Sequence, residues 1–246
     1  MNENMVEGRN GVLEAFRSER TVDKVYIQEG LKDEAIQRVL REARKAGSIV
    51  NFVSKERLDQ ISETHKHQGV IALAAAFGYA QVEEILEAAR EKGEDPFLFV
   101  LDGIEDPYNL GAMIRTANMT GAHGVIIPKR RAVGLTAAAV RASAGALHYT
   151  KVAKVTNLSR TLEDLKKQGI WFVCGDMEGE SMYRLNLKGP LGLVIGSEGS
   201  GVSQLVKKHC DLTASIPTRG DIDSLNASVA CGVLAFEILR QRMGSR

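Results

Sequence analysis

The chain has 246 residues, 44% of them hydrophobic and 26% charged, with a formal net charge of +1 at pH 7. That is the make-up of an ordinary soluble globular protein, with room for one large domain or two modest ones. No apolar run approaches the roughly 20 residues needed to cross a bilayer, MNENMVEGRN lacks the basic-then-apolar pattern of a signal peptide, and Cys174, Cys210 and Cys231 are too scattered for a CxxC zinc pair or a disulfide framework.

A cytoplasmic, metal-free protein is therefore expected. Charge is spread unevenly: residues 79–94 carry 2 basic and 5 acidic side chains, whereas residues 95–246 carry 18 and 14. So mild an excess does not by itself decide for or against a nucleic-acid partner.

In chain order, VDKVYIQ (22–28) reads as a strand, and DEAIQRVLREARKAG (33–47) as a helix closed by a glycine. SIVNFV (48–53) and GVIALAA (69–75) read as strands, with a short helix capped by Ser54 between them. Residues 1–78 thus form a small α/β unit. The charged segment QVEEILEAAREKGEDP after Gly78 marks residues 79–96 as a connection.

From Phe97 the runs FLFVLDGI, GVIIP, KVAKV, GIWFVCG, LGLVIGSEG and TASIP alternate with helical stretches. Continuous apolar strands between helices predict, for residues 97–246, a parallel sheet covered on both faces. Ligands of such sheets sit beyond the carboxyl ends of the strands.

Four constellations fall near those ends. In DPYNLGAMIRTANMTGA (106–122) an apolar stripe of Leu110, Met113, Ile114 and Ala117 backs a face holding Gly111, Arg115 and Asn118, with Asn109 near the helix start. A mid-helix glycine predicts a close approach beside Arg115. LVIGSEGSGVS (193–203) runs a strand into a glycine-rich loop around Glu198 that fits neither the P-loop nor the dinucleotide spacing, and its acid suits hydroxyls or a cationic ligand. In IPTRGDIDSLNASVACGVLAFEILRQR (216–242), Ser224 or Asn226 can cap a helix that is small or apolar almost all round through Val233 and Leu234 and so predicted buried. Lys129, Arg130 and Arg131 follow a strand and, with Arg141, are candidate phosphate contacts. The HKH at 65–67 lacks further ligands for a metal site.

NLGAMIRTANMTGAHGVII, LVIGSEGSGVS and IPTRGDIDSLNASVA, in this order and spacing, resemble the three motifs of the SpoU (TrmH) branch of the SPOUT RNA methyltransferases. EGRNGVLEA and HQGV in the first 78 residues are similar to that family's small RNA-binding domain. The resemblance implies a C-terminal domain with a deep trefoil knot, which ordinary connection rules would not suggest. It also implies a homodimer with an active site formed across the subunits, and S-adenosylmethionine held around Gly196, Ile216 and Leu225. Asn109, Arg115, Glu198, Ser224 and Asn226 match the family's polar catalytic positions. The implied reaction is methylation of a ribose 2′-hydroxyl of RNA, with a guanosine in the peptidyl-transferase region of 23S ribosomal RNA as the expected target. Transfer RNA, or a non-catalytic role in ribosome assembly, are the alternatives. Arginine keeps its proton near neutral pH, so Arg115 is expected to grip phosphate and stabilise developing alkoxide charge rather than act as a base. Its small neighbours are expected to leave room for a nucleotide.

Overall fold

In a computed structural model, residues 4–18, 21–221 and 224–244 are described. The chain divides into two compact units, one formed by residues 1–78 with 134–137, the other by residues 79–133 with 138–246.

The first unit runs β1 (Met5–Glu7), α1 (Arg9–Arg17), β2 (Val22–Gln28), α2 (Glu34–Lys45), β3 (Ile49–Val53), α3 (Lys55–Ile61) and β4 (Val70–Ala74). Its strands form one mixed sheet in the order β1-β4-β2-β3, parallel only between β2 and β3. The first strand and helix are additions to the sequence reading: β1 has only three residues, too few for a period to register. Val12, Ile36, Val39 and Ala43 from α1 and α2 pack on Val25, Ile27, Val70 and Ala72 of the sheet. Asp33 caps α2 by accepting from the Ile36 N–H at 3.2 Å, and Ser54 caps α3 through the Arg57 N–H at 3.3 Å. Of the HKH residues, His67 is buried, with Nε2 2.9 Å from Asp59 Oδ1 and Nδ1 accepting from the Gly69 N–H. That is a loop-fixing role.

The second unit opens with α4 (Val82–Glu91), so the segment read as a connection contains a packed helix: Ile85, Leu86 and Ala89 are buried. There follow β5 (Phe97–Asp102), α5 (Pro107–Met119), β6 (Gly124–Pro128), α6 (Ala137–Ala142), β7 (Lys151–Val155), α7 (Leu158–Lys166), β8 (Trp171–Ser181), β9 (Leu191–Gly196), α8 (Gln204–Lys207), β10 (Leu212–Ser215) and α9 (Ala227–Met243). The strands lie in one sheet in the order β10-β8-β9-β5-β6-β7, every pair parallel. Burial on both faces explains their near-continuous apolar sequence. Ile85 and Leu86 of α4 and Leu158, Leu162 and Leu165 of α7 share one core with Leu98, Val100, Ile126 and Val194. Leu110, Met113, Ile114 and Ala117 of α5 are buried, and this helix packs on α9.

Two expectations change here. The α9 helix is not buried all round: Cys231, Leu234, Ala235 and Ile238 are covered, but Val229, Phe236 and Met243 are 50%, 46% and 68% exposed. These three lie seven residues apart and form one outward stripe. Gly111 is closely approached by protein, not by a ligand: a Cβ there would lie 2.4 Å from the Ala142 Cβ and 2.6 Å from the Ala139 carbonyl oxygen. The small residue lets α6 lie against α5. The expectation that it leaves space for a nucleotide is overturned.

Candidate active site

Strand order places the site. Chain order proceeds outward from β5 through β6 to β7 on one side, and the sheet continues through β9, β8 and β10 on the other. The order therefore reverses between β5 and β9, where parallel α/β sheets open a crevice beyond the strand ends. Asp102 and Gly196 are register partners at that end. The chain leaves β9 in a tight loop, Ser197–Gly201, whose ends exchange backbone hydrogen bonds of 3.2 and 2.9 Å. Asp102 holds the far side of this loop by accepting from the Ser203 N–H at 2.8 Å. Nothing local to Asp102 marks this role, because its partner lies 101 positions away.

The loop is a wall between two cavities. The first, of about 340 Å³, is lined by Gly196, Ile216, Ser224, Leu225 and the α9 residues Ala230 and Leu234. It is within the size range of small-molecule sites, with an apolar lining broken by a few polar groups. Gly196 is indispensable to its shape: a Cβ there would come within 1.9 Å of the Gly201 carbonyl carbon. On the cavity rim Asp176 pairs with Lys207 at 2.7 Å, and the ammonium holds the Asp176 carboxyl below the usual carboxylate range. The second cavity, of about 810 Å³, is lined by Asp102, Asn109, Arg130, Arg131, Asn157 and Glu198 among others. Arg131 adopts a left-handed backbone, φ 55°, a conformation that costs a non-glycine residue free energy and tends to occur at functional sites.

On the wall, three side chains from separate segments meet. Asn109 Nδ2 donates to Glu198 Oε1 at 3.0 Å. Asn226 Nδ2 donates to Asn109 Oδ1 at 3.1 Å and also to Glu198 Oε1. The orientation of the Asn226 amide follows from its other end: Oδ1 caps α9, accepting from the Ser228 N–H at 2.9 Å, the Ser228 hydroxyl at 2.6 Å and the Val229 N–H at 3.3 Å. With the oxygen committed to the helix terminus, the NH₂ must face the carboxylate. Asp106, not Asn109, caps α5, accepting from the Tyr108 and Asn109 N–H groups. Capping by Asp106 leaves the Asn109 side chain free for the cluster.

The sequence-derived candidates therefore divide. Asn109, Glu198 and Asn226 form the cluster, and Gly196, Ile216, Ser224 and Leu225 line the first cavity. Arg130 and Arg131 line the second. Lys129, Arg141 and Arg115 line neither. Arg115 is exposed on the outer face of α5, the side that carries the 66% exposed Tyr108 and the 60% exposed Met119. Ile222 and Asp223 of the third motif lie outside the described residues.

Residues 96–236 match the SpoU rRNA Methylase family, and residues 5–80 match the RNA 2′-O ribose methyltransferase substrate binding domain. YacO of Bacillus subtilis, described as a TrmH family tRNA/rRNA methyltransferase, is 47% identical over 239 residues, spanning 96% of this chain and 95% of its own. A Staphylococcus haemolyticus relative of the same description is 41% identical, spanning 98% and 97%. Among solved structures, the SpoU methyltransferase AviRb from Streptomyces viridochromogenes, in complex with AdoMet, shares the fold at a TM-score of 0.63 and 24% identity, over 98% of this chain and 90% of its own. The A. aeolicus TrmH/SpoU tRNA modifying enzyme aligns at a TM-score of 0.56 and 26% identity, over 66% of this chain and 85% of its own.

Proposed function

Because the chain belongs to the SpoU/TrmH family of RNA 2′-O-ribose methyltransferases, we propose that it acts, as a homodimer, on a guanosine in the peptidyl-transferase region of 23S ribosomal RNA, an RlmB-type activity. The reaction class is that of the family, transfer of a methyl group from S-adenosylmethionine to a ribose 2′-hydroxyl. One observation carries the reading of the site: Glu198, which lines both cavities, is held by hydrogen bonds from Asn109 and Asn226.

The first cavity fits the methyl donor. Its lining of glycine backbone and apolar side chains suits an adenosine moiety, and Gly196, Ile216 and Leu225 are the residues proposed to hold it. Bound there, S-adenosylmethionine supplies an electrophilic methyl group on a positively charged sulfur. The protein's own residues do the rest. Arg130 and Arg131 hold phosphates of the acceptor strand in the second cavity, with Lys129 and Arg141 as further RNA contacts. Glu198, oriented by Asn109 and Asn226, positions the ribose, and Ser224 shapes the loop around the donor. Bringing the 2′-oxygen to about 3 Å from its target is itself a large part of catalysis.

Arg115 completes the site from the other subunit. It lines neither cavity of its own chain, yet it shares the outer face of α5 with exposed Tyr108 and Met119, and α9 adds exposed Val229, Phe236 and Met243. A second copy covering this face would bury those apolar side chains and bring Arg115 of the partner subunit toward the cluster, where its fixed charge stabilises the developing alkoxide. The deep trefoil knot that the family resemblance implies is part of this proposal.

Ribosomal RNA is favoured over transfer RNA by the first unit: residues 5–80 match a substrate binding domain, whereas the tRNA modifying enzyme of A. aeolicus aligns with 66% of this chain. The test is a map of ribose methylation on unmodified 23S RNA incubated with the protein and S-adenosylmethionine. A single methylated guanosine in the peptidyl-transferase region, lost in Arg115→Ala, supports the target and the role of Arg115. Methylation elsewhere, or of transfer RNA, overturns the target and keeps the chemistry. An absence of methylation on both, with S-adenosylmethionine unbound in calorimetry, overturns the enzymatic reading in favour of an RNA-binding assembly protein.

A further inference from the structure

Residues 1–78 carry 12 basic and 12 acidic side chains, a neutral total that offers no obvious hold on a polyanion. The charge is nevertheless unevenly placed. Four of the twelve acids are held by contacts within the unit. Glu7 accepts from the hydroxyls of Ser62 and Thr64 and from two backbone N–H groups. Asp33 caps α2 and pairs with Arg9 at 2.9 Å, Asp59 contacts His67 at 2.9 Å, and Glu14 pairs with Arg17 at 3.2 Å.

The cations of α2 are not so engaged. Arg38, Arg41, Arg44 and Lys45 are all exposed, and none has a salt bridge among the described residues, although Glu34 and Glu42 share the helix. Arg38, Arg41 and Lys45 lie at i, i+3 and i+7 and so project from one face, spanning about 10 Å of helix at 1.5 Å per residue. Like charges at these spacings repel and destabilise an isolated helix. The array suits a ligand with a row of negative charges.

The same unit exposes an aromatic ring. The edge strand β3 packs against α2, and its Val50 joins the core formed with Ile36 and Val39. Two residues on, Phe52 projects to the same face of the sheet, but it is 54% exposed. An exposed phenylalanine on the strand that packs against this helix offers a stacking surface to complement a phosphate track, the combination used to hold unpaired nucleotides.

We infer that the outward face of α2, through Arg38, Arg41, Arg44 and Lys45, grips the phosphate backbone of an unpaired RNA stretch, one base of which stacks on Phe52. The inference rests on the first unit's being the RNA substrate-binding domain, and it specifies which surface of that unit does the binding.

The test uses the full chain and two probes, an unmodified transcript of the peptidyl-transferase region of 23S RNA and unmodified total transfer RNA. Binding is titrated across ionic strength for the wild type, for R38Q/R41Q/K45Q, for F52A and, as a control of equal charge change in the same unit, for K55Q/R57Q/K66Q. An unchanged far-UV circular dichroism spectrum and urea-unfolding curve establish that each variant is folded. For the probe bound more tightly by the wild type, the slope of log affinity against log salt is expected to fall by about 2 in R38Q/R41Q/K45Q, and affinity by roughly tenfold or more in F52A, with the control near wild type. If the control loses as much slope as the α2 variant, or neither α2 nor Phe52 substitutions weaken binding, the surface is wrong while RNA binding by the protein stands. If the wild type binds neither RNA, the RNA-binding reading fails and this inference with it.

Discussion

Asn109 and Glu198 stand 89 positions apart in the sequence and 3.0 Å apart in the structure. One begins the helix after β5, the other sits in the loop after β9, and parallel pairing of those two strands brings them together. Asn226 closes the triangle from the start of α9. Its two roles, helix cap and site ligand, can be separated by substitution.

Asn226→Ser retains an oxygen able to cap α9 and removes the NH₂ that faces Glu198. Methyl transfer is expected to fall at least tenfold with thermal stability near wild type. Asn226→Ala loses both functions and is expected to cost about 1 kcal/mol more in denaturant unfolding. Equal stability of the two variants would mean that the cap contributes nothing.

Gly111→Ala sets two effects against each other. Alanine is favoured over glycine in a helix by about 1 kcal/mol, but the new Cβ meets Ala142 at 2.4 Å and the Ala139 carbonyl oxygen at 2.6 Å. Backbone cannot give way as a flexible side chain would, so overpacking by about 1–3 kcal/mol is expected to win. Chemical denaturation of the variant reads the sign directly. A more stable variant would show that α6 moves aside at little cost.

Mixing Arg115→Ala with Glu198→Ala tests the shared site. Each alone is expected to be inactive. If Arg115 serves the partner's cavity, random reassortment into mixed dimers restores about a quarter of wild-type methylation, because half the dimers then hold one intact site of two. Recovery would be absent if Arg115 serves its own chain.

Acid should loosen the first unit through Glu7. Burial opposes its ionisation, but hydrogen bonds from Ser62, Thr64 and the Glu63 and Thr64 N–H groups outweigh that and hold the carboxyl at about 2, against an ordinary 4.5. A depressed value means stability is fully present above about 4.5 and lost as pH falls toward 2. Glu7→Gln is expected to be less stable than wild type at neutral pH by on the order of 1 kcal/mol, allowing for solvent screening. The gap should narrow across that window in denaturant titrations at stepped pH. A constant gap would place the effect elsewhere than in the charge.

Much of this molecule is written locally. The six strands of the second unit are runs of Val, Ile and Leu between helical stretches, and burial on both faces leaves that mark in any such strand. Ser54 and Asn226 are legible as caps because a cap acts within three residues of itself. Asn109, Glu198 and Asn226 could be proposed one motif at a time, and the family resemblance joined them, but their mutual contact required the β5–β9 pairing. Other features had no local sign. Asp102 reads as the end of a strand until Ser203 is brought to it. Gly111 reads as an opening for a ligand until α6 fills it. Through Val233 and Leu234 the α9 helix looks small or apolar almost all round, and only its packing decides which side, Cys231 or Val229, is covered. Propensity, capping and periodicity act over a few residues along the chain, so the sequence alone determined the elements and the candidate chemistry. Which residues touch depends on contacts spanning a hundred positions, and those the tertiary structure decided.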